Sequence, residues 1–440
     1  MQRHFEDTVC TCGRKHINPV REVITESGAI RKLPAVVNRF GGGCVFILAD
    51  KNTYKAAGET ACAVLSEAGI PYVSYVYQTD SLEPDEAAVG AAVMHFDPSC
   101  DLVCAVGSGV INDIGKILSK MTGKPYIVVA TAPSMDGYAS ETSSMAVDGL
   151  KVSLPTRCAD VIIGDLDILS KAPLHLLVAG LGDMLAKYIS IGEWRIANRI
   201  TGEYYCEKVA DLIREAVSSC TQNAEGLLKR DAEAVKAVFE GLILGGVAMA
   251  YAGVSRPASG VEHYFSHVWD MRGLAKGTPT SLHGTQCALG TLLAARFYDV
   301  LRTVSPDREK ALCAVSSFNY REYAESLRAF LGKGAEAMIL LEEKEQKYSK
   351  TAHEKRLEII LEAWDEIMEI INEEIPPADE IEKILETIGA PRSLEEIGLS
   401  SSIIPGSFCA SRDIRDKYVL SRLAFDLGLT EELLTKGIHK

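Results

Sequence analysis

Four short runs rich in β-branched and aromatic residues, CVFILA at 44–49, YVSYVY at 72–77, LVCAV at 102–106 and YIVVA at 126–130, alternate with helix-like stretches at 52–67 and 87–94. Strand, helix, strand at this spacing predicts a parallel sheet with crossover helices. A further apolar run at 161–163 is expected at the edge of that sheet. From Leu174 onward Ala, Leu, Glu and Lys dominate with helical periodicity. The expected fold class is therefore α/β followed by all-α, with a parallel-sheet domain over 1–166 and a helical domain over 167–440. A chain of 440 residues suits two domains. The dense mixed charge of 336–374 reads as a solvated helix pair.

Charge and cysteine usage narrow the function. A net charge of −14 argues against nucleic-acid binding, which needs a basic surface to displace counterions. A small anionic substrate stays open, because helix N-termini and a bound cation make locally positive pockets. No apolar run approaches the ~20 residues that span a bilayer, so no membrane partner is expected. The first residues show no apolar segment of a secretory leader. The twelve cysteines are thus expected as reduced thiols in the cytoplasm.

Two strand ends carry ligand-binding signals. Gly107, Ser108, Gly109, Val110 and Ile111 follow the run LVCAV and open a predicted helix. Small residues admit a phosphate close to the backbone, and a new helix presents free N–H groups. Thr131, Ala132, Pro133, Ser134, Asp136 and Ser140 follow YIVVA, at the end of the strand where α/β sheets hold ligands. Asp50, closing the first run, either hydrogen-bonds a ribose or caps the next helix, two readings of equal weight.

The helical half supplies metal-ligand types. Asp183 follows Gly180-Leu-Gly182, and of nine histidines three, His263, His267 and His283, fall close together. His263 and His267 share a face if helical, so either both bind one metal or one binds while the other touches substrate. One carboxylate and two imidazoles suit a divalent Lewis acid. Taken singly, Asp183 reads more readily as a helix cap and each histidine as a structural residue. The order Glu262-His263-x-x-x-His267 is not that of the zinc peptidases. At the N-terminus Cys10, Cys12 and His16 have ligand-like spacing without an evident fourth ligand, and the reading there is ordinary thiols.

The stretches TAPSMDGYAS, GLGDMLAK, SRPASGVEHYFSH and the LHG around His283, in this order, resemble the iron-containing alcohol dehydrogenase and dehydroquinate synthase superfamily. Within it they are most similar to the bacterial sn-glycerol-1-phosphate dehydrogenases, over residues 18–300. The resemblance implies a Rossmann-like N-terminal domain, a helical C-terminal domain and an active site in a cleft between them. It implies that Asp183, His263 and His283 hold a divalent metal, zinc first, with nickel or iron as alternatives. It assigns NAD or NADP to Asp50, Gly107 to Ile111, Thr131 to Ser134 and Ser140. Asp136, Asp183 and His267 would touch a phosphorylated triose, with Asp183 and His267 catalytic and His267 a proton relay. The family relatives often carry three glycines where this chain reads Gly107-Ser108-Gly109.

The implied reaction interconverts dihydroxyacetone phosphate and sn-glycerol 1-phosphate, in an enzyme expected to be a homodimer. Lys151, Arg157, Lys187 and Arg256 are the cations near enough in sequence to meet the phosphate, though each reads first as an ordinary charge. Three rival readings are a glycerol (polyol) dehydrogenase, a lyase like dehydroquinate synthase, and a catalytically inert binding subunit. The lyase would need a dense Lys/Arg set around His283, where the sequence is TPTSLHGTQCALG.

Overall fold

The computed structural model describes residues 8–79, 81–147 and 150–438. Two compact units are present, one of residues 1–184 and 211–254, the other of residues 185–210 and 255–440.

The first unit is built on a six-stranded, all-parallel sheet. A short hairpin precedes it, β1 (Thr8–Val9) against β2 (Lys15–His16). The sheet strands are β3 (Glu22–Glu26), β4 (Cys44–Asp50), β5 (Tyr72–Tyr77), β6 (Cys100–Gly107), β7 (Tyr126–Ala130) and β10 (Val161–Asp165), in the order β3-β10-β7-β6-β4-β5. Between β7 and β10 stands an antiparallel hairpin of β8 (Thr142–Val147) and β9 (Leu150–Pro155). Crossovers run through α1 (Leu33–Arg39), α2 (Glu59–Glu67), α3 (Glu86–His95) and α4 (Gly109–Thr122).

The central strands are covered on both faces, which is why they read as continuous apolar runs. Val45, Ile47, Ala49, Leu102, Cys104, Val106, Ile127 and Val129 form one core with Leu33, Val36, Ala61 and Leu65 from the helices. One expectation fails: 161–163 is no edge. β10 pairs with β7 on one side and with β3 on the other, and all five of its residues are buried. The edge is β3, whose mixed sequence EVITE leaves most of it half-exposed.

Long helices follow: α5 (Leu174–Thr201), α6 (Glu207–Gln222), α7 (Ala232–Ala252), α8 (Val261–Lys276) and α9 (His283–Leu301). The core of the second unit gathers apolar residues from α8, α9 and the C-terminal helices, among them Phe265, Trp269, Phe297, Ile367 and Phe408. Region 336–374 forms three helices, Ala335–Glu345, Lys350–Glu362 and Trp364–Glu374, not a solvated pair. Each turns a buried face inward, through Ile339, Leu357 and Ile371. Contrary to the reading of the apolar runs, α5 and α7 are long and apolar enough to cross a bilayer. Their most apolar windows are 78% and 67% buried inside the protein, so they serve as core helices.

Candidate active site

Within the first unit, the two loops singled out from sequence lie side by side at the C-terminal ends of the adjacent strands β6 and β7. Gly107 ends β6, and a Cβ there would stand 2.5 Å from the Ile111 side chain. Glycine is what lets the chain turn into α4 at that point. Ser108 is the N-cap of α4 and makes no side-chain capping bond, so its side chain occupies none of the first-turn N–H groups. The Ser108 hydroxyl meets that of Ser134, the Thr131 N–H donates to the Gly107 carbonyl, and Tyr138 donates to the Ala132 carbonyl. Asn112 and the fully buried Lys116 both donate to the Gly137 carbonyl. Ser140 meets Thr142 through its hydroxyl. Asp50 caps the helix after β4, its Oδ1 accepting from Asn52 and Thr53 N–H groups.

Helix α5 reaches the second of these loops. A Cβ on Gly180 would lie 1.8 Å from the Pro133 carbonyl oxygen, so the helix rests directly on the loop backbone. The same contact brings Asp183, fully buried, to accept the backbone N–H of Asp136 at 2.9 Å. Gly180 and Asp183, three apart, share this face. Asp183 sits inside a 28-residue helix, not at its N-terminus, which rules out the capping role.

Within the second unit, α8 and the start of α9 bring three imidazoles together. The His263 and His283 ring centroids are 5.2 Å apart, and those of His267 and His283 are 6.0 Å apart. A ring nitrogen each of His263 and His283 and the Cys287 sulfur lie within 4.8 Å of one another. Their protonation follows from their neighbours. Gln286 donates through Nε2 to Asp270 and to the Ser281 carbonyl, so its Oε1 accepts the Ser266 hydroxyl. Ser266 must then accept from His283 Nδ1, leaving Nε2 with its lone pair. His263 Nδ1 likewise donates to Glu262 Oε1 at 2.8 Å, so its lone pair lies on Nε2. Burial pushes the Cys287 thiol up, but the His263 and His283 imidazoles outweigh it and hold the group below its usual value. Two imidazoles with fixed lone pairs and an adjacent thiol fit a borderline divalent ion.

A second carboxylate backs this cluster. Glu193, on α5, accepts the N–H groups of Val261 and Leu420. A Cβ on Gly260 would lie 2.6 Å from Glu193 Oε2 and 2.7 Å from Glu262 Oε2, so two acids face one small volume. Burial, and then the charge on Glu262, push Glu193 up to about 8. Glu193 is thereby held toward its protonated form.

Cys287 was not foreseen. Its signal was present, since it follows His283 by one helical turn, but a cysteine in an apolar helix reads as a small core residue. Three cations named for a phosphate are committed elsewhere. Arg256 is buried in a two-point ion pair with Glu203 and bonds the Tyr418 carbonyl, and Arg157 pairs with Asp160. Lys187 is buried and donates to the Ala258 carbonyl.

Comparison with known proteins gives the class. Residues 24–173 match the iron-containing alcohol dehydrogenase family. The maleylacetate reductase of Rhizobium sp. strain MTP-10005 shares the fold at a TM-score of 0.62 and 14% identity, covering 98% of this chain and 97% of that one. Sheet, helical half and imidazole cluster define an oxidoreductase of the metal-dependent alcohol dehydrogenase class. The glycerol-1-phosphate dehydrogenase (NAD(P)+) of Bacillus subtilis (strain 168) is 30% identical over 322 residues, 71% of this chain and 81% of the relative. That of Halalkalibacterium halodurans is 28% identical over 415 residues, 93% and 94% of the two chains. The chain belongs to the glycerol-1-phosphate dehydrogenase family.

Proposed function

We propose that this enzyme interconverts dihydroxyacetone phosphate and sn-glycerol 1-phosphate in the cytoplasm, as a homo-oligomer, with NAD(P)H and a divalent cation held by Asp183, His263 and His283. The carrying observation is the His263–His283 pair, whose ring centroids stand 5.2 Å apart and whose Nδ1 atoms are each tied by a partner. Asp183 is favoured as the carboxylate because α5 runs without a break from it to Lys187 and Ser190, on the same face. Those two residues bond the Ala258 and Pro257 carbonyls, just ahead of α8. Zinc is the first choice of ion, with nickel and iron as alternatives.

When bound, the cation supplies Lewis acidity toward the C2 carbonyl oxygen, and the dinucleotide supplies the hydride. The chain's own residues then bind and orient. The dinucleotide falls to the 1–166 domain, where Gly107 to Ile111 and the first turn of α4 take the pyrophosphate. Thr131 to Ser134 and Ser140 line the ring side, and Asp50 takes the ribose through the oxygen its cap leaves over. A carboxylate there repels a 2′-phosphate, so NAD is preferred. Metal and substrate fall to the 167–440 domain, helped by Asp136. His267, half-buried and stacked near His283, moves the proton of the alcohol.

The test is a comparison of initial rates with dihydroxyacetone phosphate and with dihydroxyacetone. Preference for the phosphorylated ketone is the expected result; preference for the free ketone turns the reading into a polyol dehydrogenase.

A further inference from the structure

The N-terminal hairpin is too small to hold itself, since β1 and β2 contribute two residues each. It does carry Cys10 and Cys12 on its turn and His16 at its end. The two sulfurs and one ring nitrogen lie within 4.8 Å of one another. Cys10 and His16 are 7% and 1% exposed, and both cysteines stand as thiols. The turn is tight: Gly13, at a φ of 85°, donates to the Cys10 carbonyl, and the Cys10 N–H donates to the Arg14 carbonyl.

His16 is oriented as a metal ligand would be. Its Nδ1 lies 2.9 Å from the Tyr251 carbonyl oxygen, which can only accept, so Nδ1 carries the proton and Nε2 the lone pair. Nε2 lies 3.6 Å from Cys12 Sγ. A sulfur at about 2.3 Å and a nitrogen at about 2.0–2.1 Å from one tetrahedral zinc stand about 3.6 Å apart. A backbone carbonyl holding the far nitrogen is the usual outer partner of a ligating histidine. Arg14 donates to the next carbonyl, that of Ala252, so hairpin and helix end are already in register.

We propose that Cys10, Cys12 and His16 bind a zinc ion, separate from the dehydrogenase's own cation, that fastens the N-terminal hairpin to the C-terminal end of α7. Two thiolates and an imidazole select zinc over harder ions. In a segment with almost no core of its own, the metal's binding energy becomes folding energy. The role is structural, and activity is not its readout.

Zinc is counted by elemental analysis in the full-length wild type and in Cys12→Ser, both grown with added zinc. The wild type is expected to hold one more zinc per chain. A measurement on the wild type alone guards against a variant that misfolds: native alkylation of each cysteine, mapped by mass spectrometry, with and without a chelator. Chelation should speed labelling of Cys10 and Cys12 together by about tenfold or more. The exposed Cys313 should label equally in both samples. Equal zinc in the two proteins, or labelling of Cys10 and Cys12 unmoved by chelation, overturns the proposal.

Discussion

Ser266 is the residue through which the metal account is most easily probed without touching a ligand. Its hydroxyl accepts from His283 Nδ1 and donates to Gln286, which fixes the ring nitrogen of His283 that carries the proton. Ser266→Ala should lower metal affinity about 10–100-fold, read by competition with a fluorescent chelator, and leave dinucleotide binding unchanged. Glu193 makes a pH prediction. Its folded value, about 8, lies above the ordinary 4.5, so the folded state holds the proton more tightly than the unfolded chain. The stability this supplies is complete below 4.5 and is lost as the pH rises through about 8. Thermal melts of metal-free protein from pH 5 to 9 should show the wild type losing Tm more steeply than Glu193→Gln, which has no proton to lose. Parallel slopes would place Glu193 among ordinary carboxylates.

At the scale of elements, the proposed cofactor cradle depends on a helix resting on a loop. Gly180→Ala puts a methyl 1.8 Å from the Pro133 carbonyl, so α5 or the loop must move. The expected cost is about 1–3 kcal/mol in chemical denaturation, together with a higher KM for the dinucleotide. Strands β5 and β7 were legible residue for residue, because β-branched and aromatic runs bounded by turn signals have few other uses. The apolar run at 161–163 stops short of Gly164, which lies inside β10. In the structure Gly164 makes room for the Phe239 ring, which a Cβ would approach to 2.1 Å. A glycine kept for close packing and a glycine that ends a strand are the same letter. β3 was missed for the opposite reason, its alternating polar residues being what an edge tolerates. The histidines were legible as a group through their spacing, whereas the partners that set their tautomers, Glu262, Ser266 and Gln286, carry no spacing rule.

At the scale of the whole molecule, composition identified little: a net charge of −14 argues against nucleic-acid binding and names no activity. Family membership and the imidazole pair then point to one reaction, and the claim on which the account rests is that a cation held by His283 makes it run. The most direct measurement is oxidation of NADH on adding dihydroxyacetone phosphate to chelated enzyme, with single divalent ions restored in turn, for wild type and His283→Ala. The account predicts that one or more ions restore the wild type, while His283→Ala stays slower by on the order of 10³-fold and still binds NADH. Full turnover by the chelated wild type, or by His283→Ala, would contradict it.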